Sequence, residues 1–99
     1  MNIQTLMKRA QEMQKDLQKV QKELSNSSYV GKSSCVEITL NGDKKMQSIK
    51  INLEEEISGD DIEMLEDMIL VAYNEASKKV DNDKEKKLSK YGNGLAGMM

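Results

Sequence analysis

The stretch IQTLMKRAQEMQKDLQKVQKEL, residues 3–24, decides how the rest of the chain is read. Its apolar residues are Ile3, Leu6, Ala10, Met13, Leu17, Val20 and Leu24, spaced alternately by three and four. On a heptad, Ile3, Ala10, Leu17 and Leu24 fall at a, and Leu6, Met13 and Val20 at d. The resulting seam is narrow, like that of a coiled coil and unlike the broad face of a globular helix. Between the apolar positions stand helix-favouring polar residues. Gln4, Gln11 and Gln18 share one heptad column, and Lys8, Lys15 and Lys22 share another, opposite the seam. No Gly or Pro interrupts the run, so the spacing predicts a rod of about 33 Å at 1.5 Å per residue.

Ser25, Asn26, Ser27 and Ser28 end this helix, because their side chains compete for backbone hydrogen bonds. Gly31, Ser33 and Ser34 extend the break, with Tyr29 and Val30 available for a short third strand. The period then becomes two. Val36, Ile38 and Leu40 alternate with Glu37 and Thr39, the pattern of a half-buried strand. Asn41-Gly42 is a hairpin signal, since both residues tolerate positive φ, and residues 43–45 can lengthen the loop. A return strand follows, with Ile49, Ile51 and Leu53 on one face and Ser48, Lys50 and Asn52 on the other. Asp60, with Glu63 three residues on, is the expected cap of a second helix. Its apolar stripe is Ile62, Leu65, Ile69, Ala72, Tyr73, Ala76 and Val80, widened by Met64, Met68 and Val71, and it runs to about Leu88. The predicted fold is α+β: long helix, small antiparallel sheet, long helix. One helix–sheet–helix domain spans residues 1–90, and a Gly- and Met-containing tail, residues 91–99, is expected to be flexible.

Composition bounds the chemistry. The chain has 99 residues, 37% apolar and 32% charged, with three Tyr as its only aromatics. Leu, Ile and Val total 21, just above the level of disordered chains. The core must be aliphatic and modest. There is no His, which excludes imidazole catalysis and imidazole metal ligation. The single Cys35 excludes an internal disulfide and a Cys-cluster zinc site. Cys35, at the start of a strand, reads as a small buried or half-buried hydrophobe, and Tyr73 as a core residue with its hydroxyl at the rim. No residue set supplies nucleophile, base and orienting partner, so no enzyme is expected, nor a cofactor, metal or small-molecule substrate. No apolar run approaches a membrane span and the first ten residues lack a signal-peptide core, which points to a reduced cytoplasmic setting.

A small sheet cannot cover two long helices. Strands of six residues span about 20 Å, so the first helix must project, and its seam stays wet at roughly 25 cal/mol per Å². A two-fold dimer resolves this, with Leu6, Met13, Leu17, Val20, Leu65, Ile69 and Ala72 holding the interface or core. A monomer whose two long helices pair with each other is the alternative.

The net charge of −2 hides segregation. Residues 54–67 hold eight carboxylates and no cation. The first helix carries Lys8, Arg9, Lys15, Lys19 and Lys22 against three acids, a net of +2, and residues 78–90 carry six Lys against three acids, a net of +3. A charge run is usually a solvated face. Here the column of amines on a projecting rod also suits phosphates, with Lys78 and Lys79 adding to it. A protein-binding coiled-coil adaptor or chaperone-like module, using the seam and the methionines, is the rival reading.

The ordered set of these segments resembles the YbaB/EbfC family of bacterial nucleoid-associated DNA-binding proteins. The resemblance rests on LMKRAQEMQKDLQK in the first helix, VEITLNG at the strand and turn, IKIN in the return strand and EMLEDMILVAYNEA in the second helix. It departs at Asn52, where many relatives have Asp. The resemblance implies a tweezers-like homodimer whose projecting helices contact double-stranded DNA, with a role in nucleoid organisation and gene regulation.

Overall fold

The computed structural model describes residues 2–91. Helix α1 spans Ile3–Ser25, strands β1, β2 and β3 span Ser28–Ser33, Val36–Asn41 and Met46–Ile51, and helix α2 spans Ile62–Leu88. Short 3-10 turns, Gly59–Asp61 and Ser89–Tyr91, flank α2. The strands form one antiparallel sheet in the order β1-β2-β3. The architecture is the α+β arrangement expected from the sequence. Of the expected tail, residues 92–99 lie outside the described residues.

The shape is long. The principal extents are 70 × 20 × 14 Å and the radius of gyration is 19.3 Å, against about 13 Å for a compact chain of 100 residues. Among the residues of α1 only Leu24 is buried, with Leu17, Val20 and Ser25 half-buried. The rod therefore projects, and Leu6 and Met13, candidates for core or interface, stand exposed. Asn2 starts it, its side chain accepting the Gln4 amide at 3.0 Å.

The core is where α2 crosses β1 and β2. Tyr29, Val36, Ile38, Leu40, Ala72, Ala76 and Val80 are buried there, and Cys35, Leu65, Met68, Ile69 and Tyr73 pack against them. Alternation in β2 is complete: Val36, Ile38 and Leu40 face inward between half-buried neighbours. Ile49 and Ile51 lie opposite Ile38 and Val36 in the ladder, hence on the same face. Yet they remain 44% and 40% exposed, because α2 lies over β1 and β2 and leaves β3 uncovered.

Four local expectations are corrected. Gly31 and Ser33 do not break the chain; β1 runs through them. Gly31 is required by packing, since a Cβ there would stand 2.0 Å from the Ala72 carbonyl oxygen and 2.6 Å from the Ala76 nitrogen. The turn between β1 and β2 is Ser34-Cys35, with Ser34 at φ 51°, so Cys35 sits in the turn and not in the strand. In the β2–β3 hairpin the positive φ falls on Lys44, at 62°, and not on Asn41 or Gly42. The Asn41 side chain accepts the Asp43 and Lys45 amides at 2.9 and 3.0 Å, which shapes a four-residue loop. Gly42 instead meets the end of α1, where a Cβ would lie 2.0 Å from the Leu24 carbonyl oxygen. Finally, the cap before α2 is Ser58 with Asp61, not Asp60 with Glu63. The Asp61 carboxylate accepts the Ser58 amide at 3.0 Å and its hydroxyl at 3.2 Å.

Candidate nucleic-acid interface

Two elements carry the cations singled out in the sequence. Lys8, Arg9, Lys15, Lys19 and Lys22 lie on α1 and are all exposed. Their helix is held to the body over its last third, where Leu17 and Val20 are half-buried, Leu24 is buried and α1 meets α2. Leu24 is buried against Gly42, and the Ser25 hydroxyl donates to the Asp43 carboxylate at 3.2 Å. The Ser27 hydroxyl donates back to the Glu23 carbonyl at 2.7 Å, and Lys22 stands in the last turn, where a cation suits the helix dipole.

None of these five cations takes part in an ion pair among the described residues, although Glu12, Asp16 and Glu23 share their helix. The ion pairs found lie elsewhere: Lys32–Glu37, Lys44–Asp81, Lys79–Glu75 and Lys87–Asp83. The amines of α1 are thus solvated, and among the described residues a phosphate meets no competing carboxylate within contact distance.

Lys78 and Lys79 lie on the middle of α2 and are both exposed. Their surroundings differ. Lys78 has no ion pair among the described residues, whereas Lys79 bridges Glu75 at 3.4 Å and donates to the Val30 carbonyl at 2.7 Å. β1 pairs with β2 alone, so Lys79 covers part of an open sheet edge. Periodicity gives no sign of that contact, since Val30 is 49 positions away. Lys84 and Lys86 also stand on α2 without an ion pair among the described residues. The run of six lysines in residues 78–90 was the signal for them.

Acidic residues occupy the other end of the molecule. An open hollow between the β1–β2 turn and the start of α2 has Cys35, Leu53, Met64 and Met68 in its lining, and Glu54, Glu55, Glu56 and Asp61 beside them. The Cys35 thiol donates to the Met68 sulfur at 3.7 Å. Among the described residues no group of three His, Cys, Asp or Glu is placed to hold a metal, and no helix is long and apolar enough to cross a membrane. The molecule is electrically polar along its length: carboxylates at the start of α2, unpaired amines on the rod.

The chain is similar to known proteins over nearly its whole length. Residues 1–95 match the YbaB/EbfC DNA-binding family. A protein of Agathobacter rectalis called a nucleoid-associated protein is 40% identical over 98 residues, covering 97% of this chain and 86% of its own. A nucleoid-associated protein of Lactococcus lactis subsp. cremoris is 39% identical over 97 residues, covering 96% and 97%. The crystal structure of an uncharacterized protein from Helicobacter pylori shares the fold, with a TM-score of 0.72 at 18% identity, covering 87% of this chain and 91% of that one. On the match to the family and the identity to these relatives, the chain belongs to the YbaB/EbfC DNA-binding family.

Proposed function

We propose that this protein binds duplex DNA as a homodimer, without catalysing a reaction, and that it helps to organise the nucleoid and modulate gene expression. Lys8, Arg9, Lys15, Lys19 and Lys22 contact phosphates, and Lys78 adds to them. Lys79 joins only by giving up its hold on Val30 and Glu75. The observation that carries this reading is the row of five exposed cations on a projecting helix, none in an ion pair among the described residues. Phosphate contacts carry affinity and position the protein without reading bases. The acidic block turns the opposite end away from DNA.

The dimer is proposed through β3. The sheet face that α2 leaves bare carries Ile49 and Ile51, and Leu53, Ile57 and Ile62 beyond it are also exposed. A two-fold copy covers such a face and closes the open edge of β3. Two rods then project from one body.

The test is duplex binding across a salt series for the wild type and a Lys8→Ala/Lys15→Ala/Lys22→Ala variant. The salt slope falls by about one for every lysine that touches a phosphate, and affinity falls with it for specific and random duplexes alike. Unchanged affinity and slope remove the claim for α1. The exposed α1 residues Ile3, Leu6, Met7 and Met13 favour one other reading, a coiled-coil adaptor that binds protein. Retention of a protein partner at high salt, with no duplex shift at low salt, would support it.

A further inference from the structure

The hollow between the β1–β2 turn and the start of α2 has a volume of about 710 Å³. Its α2 side is apolar: Met64, 54% exposed, and Met68, one helical turn on, both line it. Glu54, Glu55 and Glu56 stand on the rim, exposed and in no ion pair among the described residues. Residues 54–67 hold eight carboxylates and no cation, so no neighbour in sequence neutralises them. Like charges held this close repel one another, and a cationic partner relieves the repulsion. The occupant that fits presents an apolar side chain flanked by amines.

The chain carries such a surface at its other end. Met7 is 59% exposed and flanks the column of Lys8, Lys15 and Lys22, whose amines are in no ion pair among the described residues. A rod cannot serve its own hollow. α1 is seated on Gly42, just past the end of β2, whereas the hollow lies beside Ser34 and Cys35, just before its start. β2 separates the two by about 20 Å, and Lys8 stands about 24 Å further off, along the rod from Leu24, in a molecule 70 Å long. We propose that the hollow of one copy takes the Met7–Lys8–Lys15 face of a second copy's α1. Met7 meets Met64 and Met68, side chains that adapt to one another, and Lys8 and Lys15 meet the rim carboxylates. The contact joins unlike surfaces, so it is heterologous and repeats head to tail from copy to copy. It uses the α2 side of the hollow and leaves Ile49 and Ile51 of β3 free. Since the same lysines face duplex in the proposed function, DNA and the hollow exclude each other on one rod; this last step alone rests on the DNA reading.

Sedimentation velocity of the full chain without DNA tests the contact. At an ionic strength of about 0.01 M, where charges act over about 30 Å, the wild type gains mass with concentration, to at least about twice its mass at about 1 M, where their reach is about 3 Å. Glu54→Lys/Glu55→Lys/Glu56→Lys and Lys8→Glu/Lys15→Glu/Lys22→Glu each lose this gain alone. An equimolar mixture of the two regains it, because each rod then finds a hollow of opposite charge, and the regain shows that both variants fold. A wild type whose mass ignores salt, a variant that associates as the wild type does, or a mixture that stays apart overturns the proposal. A short duplex added to the assembled wild type disperses it. An assembly that persists with duplex bound overturns the exclusion, and a duplex that fails to bind counts against the DNA reading and not against the contact.

Discussion

The Tyr29 hydroxyl donates a hydrogen bond to the Asp83 carboxylate, joining the start of β1 to α2 across 54 positions of sequence. Burial pushes the Tyr29 hydroxyl up to about 12, and the adjoining carboxylate adds to the effect. Asp83 is held below the usual carboxylate range, first by the Tyr29 hydroxyl and then by Lys87, whose amine lies 3.1 Å away. A hydrogen bond to a charged group contributes about 1.5–3 kcal/mol, and Asp83 is partly exposed, so Tyr29→Phe costs about 1.5 kcal/mol. At roughly 4–8 °C per kcal/mol for a domain of this size, thermal melting detects it.

The pH dependence has two legs. The unfolded chain ionises tyrosine near pH 10, whereas folded Tyr29 keeps its proton to about pH 12. Stability therefore falls as pH rises from 10 to 12, because the unfolded state binds fewer protons than the folded one. Asp83 acts in the opposite range. Its share of stability is present above about pH 4 and fades as pH drops through its depressed folded value. Melting temperatures of Tyr29→Phe, set against the wild type over this range, should lose the Tyr29 part of the alkaline decline. Parallel curves would mean that the hydroxyl is not held as the geometry indicates.

Glycine substitutions separate the body from the rod. A methyl group at Gly31 would press on the backbone of α2, at the Ala72 oxygen and the Ala76 nitrogen. Backbone cannot rotate aside, so Gly31→Ala separates β1 from α2 at a cost of about 3 kcal/mol, the upper end for overpacking. At Gly42 the obstruction is the Leu24 carbonyl. Gly42→Ala lifts the end of α1 from its seat while the β2 core persists. The first variant lowers the melting temperature of the whole domain. The second lowers DNA affinity and alters the radius of gyration with a smaller loss of melting temperature. A reversal of that pattern would show that α1 is not seated on Gly42.

The sequence disclosed the elements that repeat and hid the contacts that do not. The alternation of three and four gave α1 to within one residue at its end, Ser25 against Leu24, and the period-two run gave the buried face of β2. β1 was harder to read because Gly31 imitates a break: nothing local tells a glycine that permits a turn from one that makes room for Ala72 and Ala76. The wet face of β3 was also illegible. Ile49 and Ile51 alternate like buried residues, and only the path of α2 over the other two strands leaves them bare. For the candidate interface, the cations were visible one by one, but their lack of ion pairs is a property of side-chain placement.

Lys78 and Lys79 are adjacent in sequence and should separate in function. Lys79 is tied to Val30 and Glu75, so Lys79→Ala uncovers the edge of β1 and lowers stability by about 0.5–1 kcal/mol. Lys78→Ala leaves stability within about 0.5 kcal/mol and reduces the salt slope of DNA binding by about one. Chemical denaturation and duplex titration on the two single variants would reveal it. Equal effects of both on binding, with no stability change in either, would deny Lys79 its structural task.

Dimerisation should depend on the face that α2 does not cover. The free edge of β1 is partly occupied by Lys79 at Val30, whereas β3 is exposed along its whole length and has Ile49 and Ile51 uncovered. Burying one such side chain contributes about 1.5–3 kcal/mol, and a two-fold interface counts each residue twice. Both residues are already more than half covered within the chain, so Ile49→Asp/Ile51→Asp removes up to about 2.5–5 kcal/mol of apolar burial from the interface and adds four carboxylates to it. Within one chain the same change is mild, because both residues already face solvent. Light scattering should report a dimer for the wild type and a monomer for the variant, with far-ultraviolet circular dichroism unchanged. Two rods linked in one body bind with an effective concentration that a single rod lacks, so the monomer loses duplex affinity by about a hundredfold or more even with every lysine in place. A variant that stays dimeric would place the interface elsewhere, and a monomer that binds DNA as tightly as the wild type would show that one rod suffices.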